Sequence, residues 1–197
     1  MQQDKEWRSI SERNAEINIS TKQVFDGALL KVWKDEVELP NGKTSGREYI
    51  KHPGASVVLP VFANGDVMLV GQYRYPVGDV FLEVPAGKLD PNETPLQTAK
   101  RELQEEAGLT CKNLVQIGSF HPCVGYSDEI IHLFIGWNIK EQDQNPDDDE
   151  FLTRHRFPFK TVLEMIESGD ITDSKTIITV LRAERWWRKH EPFEVSM

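Results

Sequence analysis

The 197-residue chain predicts an α/β protein, and three observations carry that expectation. Two pairs of extended runs break at Asn-Gly, at positions 41–42 and 64–65, the dipeptide that suits a tight turn between antiparallel strands. One helix, ending at about Ala107, has both its start and its stop written into the sequence. The C-terminal part from Lys160 onward is helical in pattern, so the coarse order is β-β-helix-β-β-helix-helix.

Taken in order, residues 1–55 form a strand-rich arm, and residues 56–197 form the main domain. In the arm, VFDGALLKVWKDEVEL runs into Pro40-Asn41-Gly42 and then KTSGREYIKH, a hairpin. Leu29, Val32, Val37 and Leu39 only partly alternate, which predicts a bulge. Residues 55–77 give a second, buried hairpin about Asn64-Gly65. The helix that follows opens on Thr94 as N-cap, with Pro95 at its first position and Gln97 completing a capping box. Gly108 ends it in the left-handed conformation. Leu96, Ala99, Leu103 and Ala107 form its apolar stripe. LVQIGSF and IIHLFIGWNI read as two further strands. A helix over 160–168 stops at Gly169, and Thr172 or Asp173 caps a longer one with Ile177, Val180, Leu181 and Trp187 facing inward.

Composition bounds the function. Net charge is −9 with no basic patch, which argues against nucleic acid as a partner. Cys111 and Cys123 form neither a disulfide framework nor a zinc spacing, so reduced thiols in a cytoplasm are expected. The polar start MQQDKEWRS is no signal peptide, and no apolar run reaches membrane-spanning length, so no membrane partner is expected.

The chemistry concentrates on the capped helix. At about 100° per residue, Glu102, Glu105 and Glu106 share one sector beside the apolar stripe. A solvated acidic face is the ordinary explanation for such residues. Here like charges one turn apart repel, and the negative end of the helix dipole lies beside them. A hard divalent cation would reverse both penalties, because Mg²⁺ takes carboxylate oxygens.

The stretch from Gly87 to Leu109, GKLDPNETPLQTAKRELQEEAGL, resembles the Nudix hydrolase family. The family's box runs Gly, five residues, Glu, seven residues, Arg-Glu-aliphatic-any-Glu-Glu-any-Gly-aliphatic. Gly87, Glu93, Arg101, Glu102, Leu103, Glu105, Glu106, Gly108 and Leu109 fit it at every fixed position. The resemblance implies a mixed sheet in an α/β/α sandwich, with the N-terminal arm supporting a homodimer. It implies hydrolysis of a nucleoside diphosphate sugar with Mg²⁺ as cofactor and Mn²⁺ as a substitute. Glu102, Glu105 and Glu106 would hold the metal, helped by the Ala86 carbonyl, while Glu93 and Arg101 would support the loop.

The same resemblance places further residues. Arg74 matches an arginine that contacts the diphosphate, a role suited to a planar guanidinium, and Glu83 is a weaker pocket candidate. Arg47 and Glu48 would line the nucleotide pocket. In the loop His121–Glu129, Gly125 would approach the terminal ribose and Glu129 would bind it. The family commonly sets proline directly before that glycine, whereas Val124 stands here and Pro122 lies earlier. The likeness of this loop to that of ADP-ribose pyrophosphatases makes ADP-ribose, cleaved to AMP and ribose 5-phosphate, the first expectation, and the departure at Val124 keeps GDP-mannose, a UDP-sugar or another nucleotide as alternatives. A nucleotide-sensing module without turnover is the alternative of another class. In the acidic run Asp147-Asp148-Asp149-Glu150, Glu150 would position or deprotonate water, also reaching metal, with Asp148 second; with Glu105 these are the catalytic candidates.

Overall fold

A computed structural model describes residues 13–145 and 151–190. They form two compact units, one of residues 13–52 with Cys123–Glu129, the other of the remainder from Pro53.

The first unit is an antiparallel sheet in the order β1-β2-β3, from β1 (Ile17–Asp26), β2 (Lys31–Glu38) and β3 (Thr44–Lys51). Asn41-Gly42 turns β2 into β3, with Gly42 at φ 76° and its N–H donating to the Leu39 carbonyl at 2.8 Å. Two details differ from expectation. The run VFDGALLKVWKDEVEL is two strands, broken where the Gly27 N–H donates to the Leu30 carbonyl at 2.9 Å. Leu29 lies in that turn, which is why it failed to alternate with Val32. The β2–β3 register is uninterrupted, and the irregularities fall between β1 and β2, at Asn18/Ser20 and Gln23/Phe25. Segment 123–129 continues this unit through the Ile50 N–H, which donates to the Tyr126 carbonyl at 2.8 Å.

The second unit is a mixed seven-stranded sheet between helices. Its strands are β4 (Ala55–Val61), β5 (Asp66–Arg74), β6 (Asp79–Glu83), β7 (Ala86–Lys88), β8 (Leu109–Phe120), β9 (Ile131–Glu141) and β10 (Leu152–Pro158). The path is β10-β5-β4-β9-β8, with β6 on β5 and β7 on β4; β4 and β9 run parallel. The helices are α1 (Pro95–Ala107), α2 (Phe159–Ser168) and α3 (Ser174–His190). Strand β4 is buried along its whole length and reads as an apolar run broken by Ser56, whose hydroxyl donates to the Pro95 carbonyl at 2.8 Å, as suits a two-faced central strand. Its alternation assigns the layers. Val57, Leu59 and Val61 join Leu133, Ile135, Phe159, Val162 and Val180 in one core. Val58 joins Ala99, Leu103, Ala107 and Phe134 in the core beneath α1.

Sequence patterning missed β6, β7 and β10. The first two are five and three residues long, and β10 is LTRHRFP, with too few apolar residues to alternate. Leu96 and Leu181 are exposed rather than inward-facing. Trp187 is buried, its ring 6.3 Å from that of Trp137, so it serves the core. Among the described residues no helix is long and apolar enough to cross a membrane.

Candidate active site

The site is built where α1 packs against β7 and the short segment that leads into it from β6. Helix α1 begins as its sequence dictates: the Gln97 N–H donates to Thr94 Oγ1, and Gln97 Oε1 accepts from the Thr94 N–H at 2.8 Å. It ends at Gly108, φ 62° and ψ 36°. Between these caps the apolar positions anchor the helix, and Glu102 and Glu106 are buried with them, while Glu105 is half-buried.

Each carboxylate has a partner. Glu106 Oε2 accepts from the Ala86 N–H at 2.8 Å. Arg101 Nη1 donates to Glu102 Oε1 at 2.7 Å and to Glu105 Oε2 at 2.8 Å. Its Nε donates to Glu93 Oε1, and its Nη2 to Glu93 Oε2 and the Lys88 carbonyl, each at 3.1 Å. All five guanidinium donors are thereby used. The last turn of α1 carries no basic residue, so Arg101 supplies the positive charge that this acidic helix end lacks. Glu93 is the strongest partner: its bond to Arg101 raises the arginine's affinity for its proton. The same bond, together with one from Thr98, lowers the Glu93 carboxyl to about 2 despite some burial.

The folded value of Glu93 lies below its ordinary 4.5, so this pair stabilises the fold fully above pH 4.5 and loses that contribution as pH falls towards 2. The stability difference between parent and Glu93→Gln, followed by urea unfolding, is expected to be constant from neutrality to about pH 5 and to shrink below it. A difference that does not change across the acid range would exclude this account.

Gly87 is shaped by Glu102. A Cβ added at Gly87 would lie 1.7 Å from Glu102 Oε1 and 2.1 Å from its Cδ, so only glycine lets that carboxylate lie against the backbone. A second charged group flanks the segment. Arg74, from the end of β5, grips Glu83 with Nε at 2.7 Å and Nη2 at 2.5 Å. The buried Glu83 also takes Lys175 Nζ from α3. Burial alone would raise the Glu83 carboxyl, but Arg74 and Lys175 outweigh it and hold it below the usual range. Arg74 and Glu83, singled out separately in the sequence, are thus one bidentate pair. The half-exposed guanidinium keeps Nη1 without a hydrogen bond among the described residues.

Four further candidates belong to the other unit. Arg47 and Glu48, on β3, and Gly125 and Glu129 belong to the first unit. Arg47 is committed to Glu16, with Nε donating at 2.8 Å, and exposed Glu48 pairs with Lys34 at 3.2 Å. Glu129 lies 3.6 Å from His52 Nδ1. Glu150 and Asp148 fall outside the described residues. Burial pushes the Cys111 thiol up to about 11, which disfavours the thiolate at neutral pH. Lys175 escaped sequence reasoning, although a signal existed: a cation in the first turn of a helix with no acid there opposes the dipole unless a partner waits.

The donor set fits a hard divalent metal: carboxylate oxygens on one helix face beside the Ala86 backbone, with no sulfur or imidazole among them. Among the described residues no three acidic, histidine or cysteine side chains are placed to hold one metal ion, and Glu102 and Glu105 are instead turned towards Arg101.

Comparison with known proteins shows the family. The chain is 40% identical to the ADP-ribose pyrophosphatase of Bacillus subtilis (strain 168), over 84% of this chain and 90% of that one. It is 42% identical, over the same shares, to the methanol dehydrogenase activator of Bacillus methanolicus. A crystal structure of ADP compounds hydrolase superposes with a TM-score of 0.80 at 18% identity, covering 90% of this chain and 97% of that one, a likeness of fold. The model of the NUDIX domain matches residues 51–178, a span that contains Gly87, Arg101 and all three glutamates of the α1 face, and the chain belongs to that family.

Proposed function

We propose that the protein hydrolyses the diphosphate bridge of a nucleoside diphosphate sugar in the presence of Mg²⁺, with ADP-ribose, yielding AMP and ribose 5-phosphate, as its first substrate. The observation that carries this is the pair of buried glutamates on α1, Glu102 and Glu106, packed against Gly87 and Ala86. Burying two like charges on one helix is costly unless cations compensate them, and a phosphoanhydride site requires such compensation. The choice of ADP-ribose is supported by the name of the B. subtilis relative and its long match.

Glu102, Glu105 and Glu106, with the Ala86 carbonyl, would hold Mg²⁺, which when bound neutralises charge on phosphoryl oxygens and makes water a better nucleophile. Arg74, with Nε and Nη2 on Glu83, binds the diphosphate through Nη1. Gly87 lets Glu102 approach the backbone, and Arg101 with Glu93 keeps the loop in place. Glu150, with Asp148 as the second candidate, orients water or takes its proton, the work of a general base. Arg47 and Glu48 contact the nucleotide, and Gly125 and Glu129 the terminal ribose.

A panel of ADP-ribose, GDP-mannose, UDP-sugars, nucleoside triphosphates and dinucleoside polyphosphates, with Mg²⁺ or Mn²⁺ and product identification, tests the proposal. ADP-ribose cleaved fastest to AMP and ribose 5-phosphate is the expected result. Fastest cleavage of GDP-mannose would move the substrate, and tight binding with no turnover would make the protein a sensing module.

The arm of residues 1–55 joins the hydrolase domain of 56–197 to a second copy in this proposal. Ile17, Ile19, Val24, Phe25, Leu29 and Leu30 all expose apolar side chains on the first unit, more than a solvated sheet needs. Light scattering is expected to return twice the chain mass of 22.6 kDa, and a value of one chain would remove the dimer.

A further inference from the structure

We infer that Lys175 is a positioning residue for Arg74, acting through the Glu83 carboxylate that the two cations share. This rests on the proposed contact between Arg74 and the diphosphate.

Glu83 is 2% exposed, and a buried carboxylate is tolerated only when its oxygens are fully engaged. Arg74 reaches it from β5 and Lys175 from the first turn of α3, so two elements distant in sequence fix one carboxylate plane. Lys175 is itself held, 3.1 Å from Asp173 Oδ1. Asp173 Oδ2 in turn caps α3, accepting from the Thr176 N–H at 2.9 Å and from Thr176 Oγ1 at 2.7 Å. Thr176 Oγ1 then accepts from the Val84 N–H at 2.9 Å.

The opening turn of α3 therefore clamps both the side chain of Glu83 and the backbone of Val84. Two residues on, the Ala86 N–H is held by Glu106 at 2.8 Å, and between them the Pro85 carbonyl accepts from Val58 at 2.9 Å. Segment 83–86 is fixed residue by residue, and the Arg74 guanidinium takes its orientation from the first of these fixtures. With Lys175 gone, Glu83 keeps one cationic partner, its carboxylate is free to rotate, and the guanidinium rotates with it. The ammonium of Lys175 is engaged by Glu83 and Asp173, which offset its place as a cation at the positive end of a helix.

The test is a double-mutant cycle on the full chain with ADP-ribose and Mg²⁺. Lys175→Met is expected to raise KM about 10-fold while kcat stays within about 3-fold, because orientation of a binding group is lost. Lys175→Arg, which keeps the charge, is expected to restore KM to near the parental value. In an Arg74→Ala background, itself weakened in KM, Lys175→Met is expected to add nothing, since its route to substrate is gone. A packing role alone would lower thermal stability in both backgrounds and leave KM unmoved. An unchanged KM in Lys175→Met, or a full KM effect persisting without Arg74, overturns the inference. If Lys175→Met does not fold, Lys175→Gln carries the same comparison. Calorimetric Kd values for ADP repeat the cycle without hydrolysis, so absent turnover in the parent counts against the proposed reaction and leaves Lys175 to be judged by binding. An Arg74→Ala variant with parental KM and Kd would remove the arginine's role and this inference together.

Discussion

Replacing Glu105 and Glu106 together with glutamine is expected to lower turnover about 10³-fold, the scale on which charge stabilisation at a phosphoryl centre operates. Stability should hold or rise. The two carboxylates crowd the negative end of α1, and the repulsion relieved by neutralising them offsets the charge lost from the Arg101–Glu105 pair at 2.8 Å. The packing contacts survive too: a glutamine oxygen at position 106 still accepts from the Ala86 N–H, now 2.8 Å from Glu106 Oε2. Steady-state rates on the nucleotide panel, with thermal unfolding of the same preparations, check this. Activity lost while the melting temperature is kept or raised marks residues retained for chemistry at a cost in stability. Parental turnover in the double variant would remove the metal-holding role and with it the proposed reaction.

Gly87→Ala is expected to reduce turnover about 100-fold through the displacement of a group by roughly 1 Å. The added Cβ would fall 1.7 Å from Glu102 Oε1, and this obstacle is the end of a side chain, so the carboxylate moves off and the backbone stays. The stability cost of such crowding is about 1–3 kcal/mol. Gly46→Ala is the control. A Cβ there meets nothing within 4 Å, and stability should change by less than about 0.5 kcal/mol. Denaturant midpoints and turnover for both variants decide the matter. A Gly87→Ala enzyme with parental turnover would show that Glu102 need not lie against the β6–β7 segment.

Local chemistry was legible at once. Thr94, Pro95, Gln97 and Gly108 specify where α1 starts and stops through contacts within a few residues, and the caps form as written. The turns at Asn41-Gly42 and Asn64-Gly65 are of the same kind, and Asp173 caps α3. The three-glutamate face of α1 follows from helical periodicity alone. Strand β10 was hidden because an exposed edge strand needs no apolar alternation, so LTRHRFP looks like a loop until β5 is there to pair with it.

What the chain's order could not convey is which charges meet. Arg74 and Glu83 are close in sequence, but Lys175 joins them only because α3 packs on the sheet beside β6, some ninety residues further along. The commitment of Arg101 to three glutamates, and the collision that forbids a side chain at Gly87, likewise depend on α1 settling against the β6–β7 segment. Caps, turns and periodicity are short-range and set by covalent geometry, so residue order suffices for them. The partner of a buried charge is set by burial, which exists only once the sheet and its helices have closed around it.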